Sequence, residues 1–345
     1  MNIVLITGGP SAEREVSIAT SKSILEALRE SGHKVKVVDP VNGDNSVGEN
    51  EVLSLKISKE FPSSEEIKEI QKTSNRNILK CFNSRIFDDT DIAFLGVHGK
   101  FGEDGRLQTL LELRGIKYTG SGVFSSAISM DKDLSKILCR TAGIDTPDWF
   151  SFTADEYRDS EKLSLRINNE TGYPCVIKPN DEGSTVGLSI VQPDVEDIQL
   201  QKSVDLALRY SDKVIAEKYI KGRELTVAVL GNEALPVIEI IPDGGFYDYE
   251  HKYTKGMTQY ICPAEIPVHI EKELKEKAVK LHKLFGCRVY SRIDFMFDEK
   301  SGKQYFLEIN TLPGMTSTSL VPKSAAAAGM SFRNLIDKIL ELSLK

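Results

Sequence analysis

The sequence predicts an α/β protein that opens on a doubly wound parallel sheet, and two observations carry that. A short apolar run at 3–6 breaks at Gly8-Gly9-Pro10, Ser11 can cap, and apolar residues then recur at helical spacing over 16–30 until Gly32. A second strand at 35–39 precedes Pro40, and 91–97 is a buried run that ends in His98-Gly99. Strand, helix and strand in that order put helices on the faces of a parallel sheet.

The remaining elements follow in order. Residues 42–80 are polar and weakly periodic, with one helix expected at 63–72. Phe101-Gly102-Glu103-Asp104-Gly105 leads into a helix that runs through Leu113. A second unit begins near Gly120, with a helix at 125–142, a strand at 175–178, a glycine loop at 182–187 and a strand at 188–191. Strand signals dominate from 214 onward, at 214–217, 224–230 and 235–241. A polar loop rich in glycine and tyrosine covers 244–260. Leu274, Ala278, Leu281 and Phe285 mark one face of a helix that stops at Gly286. Strands at 292–297 and 304–309 precede a C-terminal helix ending at Leu344.

Composition sets outer limits. With 345 residues there is room for two or three domains. The 44 Lys+Arg against 51 Asp+Glu leave a net charge of −7, the wrong sign for a nucleic-acid surface as main partner. No apolar run approaches the ~18–20 residues of a membrane span, and the first strand enters its glycine turn without a basic leader, so a cytoplasmic protein is expected. Five cysteines lie far apart without a CxxC pair, and the five histidines are scattered, which disfavours a disulfide frame or a zinc site.

Three constellations carry chemistry. In Arg292-Ile293-Asp294 and Glu308-Ile309-Asn310, strand alternation places the polar residues of each triplet on one face. If the strands are neighbours, two carboxylates and an amide converge as an all-oxygen set suited to Mg²⁺; otherwise they are a solvated face with cross-strand ion pairs. Lys178 ahead of Gly183-Ser184-Thr185-Val186-Gly187 offers an amine and backbone N–H groups to a phosphate, or simply closes a hairpin. Lys132 is a further candidate cation. Glu217 and Glu224 flank a strand turn, either as ribose acceptors or as exposed charges.

The order of these pieces resembles the ATP-grasp ligases, and among them the D-alanine:D-alanine ligases. The likeness rests on 9–17, on His98-Gly99 through Gly105, on Tyr118-Thr119-Gly120-Ser121-Gly122, on Ser129-Met130-Asp131-Lys132, on Tyr247-Asp248-Tyr249-Glu250 with Lys252-Tyr253, and on 313–317. Only 42–90 departs, being longer and more polar than the family pattern. The resemblance implies a three-domain ATP-grasp fold with domains at 1–119, 120–213 and 214–345. It also implies ATP-dependent joining of two D-alanines through a D-alanyl phosphate for peptidoglycan precursor synthesis, and a homodimer.

Carried over residue by residue, the resemblance assigns Lys132 and Lys178 to the α- and β-phosphates of ATP and Lys252 to the γ-phosphate. Glu217, Lys218, Tyr219 and Ile220 would line the adenine pocket, and Glu224 would take the ribose. Asp294, Glu308 and Asn310 would carry two Mg²⁺, with Mn²⁺ as the alternative ion. Glu13, with Val16 and His98 nearby, would hold the first D-alanine; Ser319 and Leu320 would hold the second. Arg292 and the Gly314 N–H would form the oxyanion site. Ser184, Tyr253 and Glu13 would close the loop at 244–260 over the site as a lid, to which Tyr247, Tyr249 and Tyr260 also belong. Makers of D-alanyl-D-lactate or D-alanyl-D-serine, a biotin-dependent carboxylase subunit and a non-enzymatic ATP-binding regulator are the competing readings. The complete Tyr247 to Tyr253 run favours the dipeptide, and Asp294, Glu308 and Asn310 together disfavour the regulator.

Overall fold

The computed structural model describes residues 1–44, 47–54, 62–156, 160–193, 197–242, 258–316 and 318–345. Three sheets follow one another along the chain. The first holds β1 (Asn2–Ile6), β2 (Lys34–Val38) and β3 (Ile92–Leu95), parallel, in the order β2-β1-β3. The second holds β4 (Trp149–Thr153), β5 (Cys175–Pro179), β6 (Ser189–Val191) and β7 (Lys213–Lys218), antiparallel, in the order β4-β7-β5-β6. The third holds β8 (Arg223–Leu230), β9 (Glu233–Ala234), β10 (Ile238–Pro242), β11 (Thr258–Ile261), β12 (Tyr290–Asp298) and β13 (Lys303–Asn310). Its order is β11-β10-β8-β12-β13, with β9 on β8.

The order of the first sheet decides where chemistry can sit. The chain leaves β1 to one side for β2 and returns to the other side for β3, so the crevice beyond the carboxyl ends of β1 and β3 is a topological switch point. The segments carrying Glu13 and His98 leave from those two ends. The C-terminal helix Phe332–Leu344 returns to this first unit, burying Leu335, Ile336, Ile339 and Leu340 in one core with Ile3, Leu5, Ile24 and Phe94.

Several expectations shift. The helix predicted at 125–142 is two helices, Val123–Met130 and Lys132–Thr141, because Asp131 leaves helical geometry and its side chain accepts the Leu134 N–H at 2.9 Å. The helix predicted at 63–72 runs Ser64–Asn83, started by a reciprocal Ser63–Glu66 capping box and extended because Ile78, Cys81 and Phe82 are buried in the first core. The strand β4 and the helices Ser160–Glu170 and Asp197–Leu208 lacked a signal strong enough to predict; they supply Phe150, Phe152, Ile167 and Val204 to the middle core. The last residues of the predicted lid, Thr258 to Tyr260, belong to β11 and pair with β10, while 244–257 lie outside the described residues. The middle sheet also runs past 213, since β7 pairs with β4 and β5.

Among the described residues no helix is long and apolar enough to cross a membrane. All five cysteines are free thiols, and burial pushes Cys81, Cys139 and Cys175 up to about 12, where they stay protonated and inert.

His282, on the helix Val268–Leu284, is buried with Nδ1 2.7 Å from Ser291 Oγ, and burial lowers its pKa to about 4. The unfolded chain binds this proton below about 6.5, whereas the folded chain refuses it until about 4. Acid therefore favours unfolding over that window, by roughly 3 kcal/mol in full. His282→Gln should flatten that part of the loss when urea midpoints are compared at pH 7 and 4.5; parallel losses in variant and wild type would refute the assignment.

Candidate active site

The N-terminal wall is built at the switch point. Glu13 stands at the N-terminus of the helix Arg14–Glu30, buried, its N–H donating to Ser11 Oγ at 3.2 Å while Ser11 Oγ donates to the His98 carbonyl at 2.7 Å. His98 Nδ1 lies 2.9 Å from the Leu312 carbonyl, which can only accept, so Nδ1 carries hydrogen and Nε2 meets Thr20 Oγ1 at 2.9 Å. Burial works to lower the His98 pKa, but Glu103 at 3.4 Å, Glu13 and the Leu312 carbonyl raise it on balance. The imidazole thereby ties the first unit to the turn that holds Pro313-Gly314.

The middle wall carries the cations. Lys132 opens its helix and reaches across to the Glu182 carbonyl at 2.5 Å and to Glu308 Oε2 at 3.3 Å. On β5 and β7, Lys178 faces Glu217 at 2.6 Å, and a second amine, Lys136, lies 2.7 Å from the other Glu217 oxygen. Burial works to raise the Glu217 pKa, yet the two lysines overcome it and hold the carboxyl at about 2. In the glycine loop Ser184 and Thr185 both adopt positive φ, +51° and +64°, a costly conformation for residues with a Cβ and a mark of over-determined, functional backbone. Ser184 Oγ donates to Glu13 Oε1, closing this loop onto the first unit. Gly183 lets it approach, since a Cβ there would stand 3.3 Å from Glu13 Oε1.

The third wall is the β12–β13 pair. The register sets Arg292 opposite Asn310 and Asp294 opposite Glu308, so the strands are neighbours and the four polar residues converge. Asp294 accepts a two-pronged contact from Arg292 at 2.9 and 2.7 Å, plus Thr226 Oγ1 at 2.5 Å and Asn310 Nδ2 at 3.1 Å. Gly314 follows on the Leu312-Pro313 turn, where a Cβ would meet Ser319 Oγ at 3.0 Å.

The three walls enclose one cleft of about 690 Å³. Glu13, Val16 and His98 line it from the first unit; Lys132, Lys178, Ser184, Glu217, Lys218, Tyr219 and Ile220 from the second; Glu224, Arg292, Asp294, Glu308, Asn310, Gly314, Ser319 and Leu320 from the third. Lys252 and Tyr253 lie outside the described residues.

Family profiles agree with this geometry: that of the D-ala D-ala ligase N-terminus matches residues 2–121, and that of the D-ala D-ala ligase C-terminus matches 138–341. The chain belongs to the D-alanine–D-alanine ligase family. A D-alanine–D-alanine ligase of Carboxydothermus hydrogenoformans is 38% identical over 348 residues, covering 100% of this chain and 99% of its own. The D-alanine–D-alanine ligase of Bacillus anthracis complexed with ATP superposes with a TM-score of 0.72 at 32% identity, covering 100% of this chain and 97% of that one. The VanG D-Ala:D-Ser ligase of Enterococcus faecalis gives 0.74 at 30% identity, with 99% of each chain covered. The backbone is thus shared by family members named for different second substrates.

In and behind the walls of this ligase cleft, three residues escaped sequence reading. Glu103 lies in a stretch that carries the resemblance, yet only the fold brings it against His98. Lys100 bridges the first unit to the glycine loop through Glu182 at 2.9 Å and Asp181 at 3.1 Å; burial pushes Glu182 up to about 7 despite that partner. Lys136 follows Lys132 by four residues on the same helix, and that shared face was its available signal.

Proposed function

We propose that this chain joins two D-alanines into D-alanyl-D-alanine at the expense of ATP, supplying a peptidoglycan precursor. What carries the reading is the meeting, in one cleft, of a buried acid from the first unit, cations from the second and paired carboxylates with an arginine from the third. In the first step a D-alanine carboxylate oxygen bonds to the γ-phosphorus, the bond to ADP breaks, and D-alanyl phosphate forms. In the second, the amine of another D-alanine attacks the acyl carbon, loses a proton and expels inorganic phosphate. Neither step needs a protein nucleophile, so catalysis rests on positioning and charge.

Glu13 would bind the first ammonium, its Ser184 partner holding it in place. Lys132 and Lys178 would take the α- and β-phosphates, Glu217 to Ile220 the adenine, and Glu224 the ribose. Arg292 and the Gly314 N–H would face the oxyanion. Ser319 and Leu320 stand at the N-terminus of the helix Leu320–Ala327, whose N–H groups suit the second substrate's carboxylate. Asp294, Glu308 and Asn310 fit Mg²⁺: the set is all oxygen, faces the cleft and already draws two cations, Arg292 and Lys132. Among the described residues no three of His, Cys, Asp or Glu form a fuller cage, and Mg²⁺ commonly takes its other ligands from phosphate and water. When bound, Mg²⁺, or Mn²⁺ in its place, would shield phosphate charge. By family resemblance we further propose a cytoplasmic homodimer, its chain divided as expected at 1–119, 120–213 and 214–345 except that β7 belongs to the middle unit, which moves the second boundary past Lys218.

The direct test is D-alanine-dependent phosphate release with ATP and Mg²⁺; its absence in folded protein would overturn the proposal. D-lactate outcompeting D-alanine as second substrate at neutral pH would replace the dipeptide with a depsipeptide. Glu13→Gln removes one charge-assisted contact, so KM for the first D-alanine should rise about 10- to 100-fold with ATP affinity nearly unchanged. A loss confined to ATP affinity would contradict that role.

A further inference from the structure

We propose that Lys136 is a positioning residue for the nucleotide: from behind the cleft wall it occupies one oxygen of Glu217, so that Lys178 keeps an uncompensated positive charge facing phosphate. The inference rests on the reading of the cleft as an ATP site. Lys136 is fully buried and does not line the cleft, whereas Lys178 and Glu217 both do. Its Nζ lies 2.7 Å from Glu217 Oε2 and donates to Thr146 Oγ1 at 2.8 Å; Thr146 passes its own hydrogen to the Phe306 carbonyl at 2.9 Å. The amine also sits 5.4 Å from the centre of the Trp149 ring. Across the carboxylate, Oε1 accepts from Lys178 at 2.6 Å.

The charge count gives the reason. One carboxylate between two ammonium groups leaves the trio a surplus of one positive charge, and only Lys178 presents it to the cleft. Without Lys136, Glu217 and Lys178 form a neutral pair in a low-dielectric wall, where opposite charges hold each other tightly. A phosphate would then have to compete with Glu217 for the amine. Burial lowers the Lys136 pKa to about 8, with Glu217 opposing that fall, so the amine is still charged at neutral pH. A fully buried ion pair is a poor device for stability alone, which directs attention to what the third charge does for the site.

The test is calorimetric titration of the non-hydrolysable ATP analogue AMP-PNP, with Mg²⁺, into wild type, Lys136→Met, Glu217→Gln and the double variant. Lys136→Met should weaken binding at least tenfold while KM for the first D-alanine stays within twofold. In the Glu217→Gln background, where no carboxylate competes for Lys178, the same substitution should change Kd less than threefold. Equal losses in both backgrounds, as lost packing would give, or a Lys136→Met affinity within twofold of wild type, would overturn the assignment. Lys136→Gln removes the charge but leaves a polar amide in the buried position; it carries the test if the methionine variant does not fold, with the same tenfold loss expected and wild-type affinity overturning it. Wild-type protein that takes no nucleotide would overturn the reading of the cleft itself, whereas wild-type binding with unaltered variants would remove only the role of Lys136.

Discussion

Glu308→Gln is expected to lower D-alanine-dependent phosphate release by at least about 10³-fold, and to raise the Mg²⁺ concentration needed for what remains. Glu308 faces Asp294 across the β12–β13 register and has Lys132 at 3.3 Å. The substitution is nearly isosteric and removes one negative charge from the cluster proposed to hold a divalent cation beside phosphates. Only one carboxylate would remain in that set, with Arg292 already seated on it in the geometry described above. Phosphate release at ordinary Mg²⁺ within tenfold of wild type would end the metal assignment. Unchanged urea midpoints in the variant would separate this from unfolding.

Arg292→Met is expected to lower kcat by about 10²- to 10³-fold, the usual scale for losing one preorganised donor to an oxyanion, with smaller changes in KM for ATP. The guanidinium reaches Asp294 through two nitrogens, at 2.9 and 2.7 Å, which fixes its plane in the cleft. Arg292→Lys should fare little better, because an ammonium cannot reproduce the fork that holds the side chain in that plane. The Mg²⁺ requirement should not rise in Arg292→Met, since the substitution removes a cation that competes for Asp294. A requirement that rises as in Glu308→Gln would place Arg292 in the metal site rather than at the oxyanion. A kcat within threefold of wild type would remove it from the reaction.

Legibility followed the range of the forces involved. The alternation in 292–294 and 308–310 was readable because a strand's period of two is local, and the observed register then brought both triplets to one face. The helix Val268–Leu284 was readable for the same reason, its apolar face repeating at helical spacing up to Gly286, which takes φ +65°. The break at Asp131 was missed because a capping side chain competes with helix continuation by a margin that periodicity does not register. The strand β4 was missed because it is only five residues long, and the two helices over the middle sheet because apolar residues such as Leu165 and Ile198 stay exposed and blur the face that the fold buries.

What the sequence determined by itself was the α/β class, the parallel opening unit, the conspicuous acids and cations, and the order of motifs that marks the ligase family. The −7 net charge read at the outset is compatible with a cleft walled by Lys132, Lys178 and Arg292, since net charge says nothing of where charges gather. Tertiary structure alone decided three things: that the C-terminal helix closes the first core, that His98 holds the Leu312 carbonyl across 214 positions of chain, and that Lys136 and Lys178 share one carboxylate. Each depends on contacts between residues far apart in the chain. Such pairings are set by how the sheets and helices pack together, and no local periodicity or propensity encodes them.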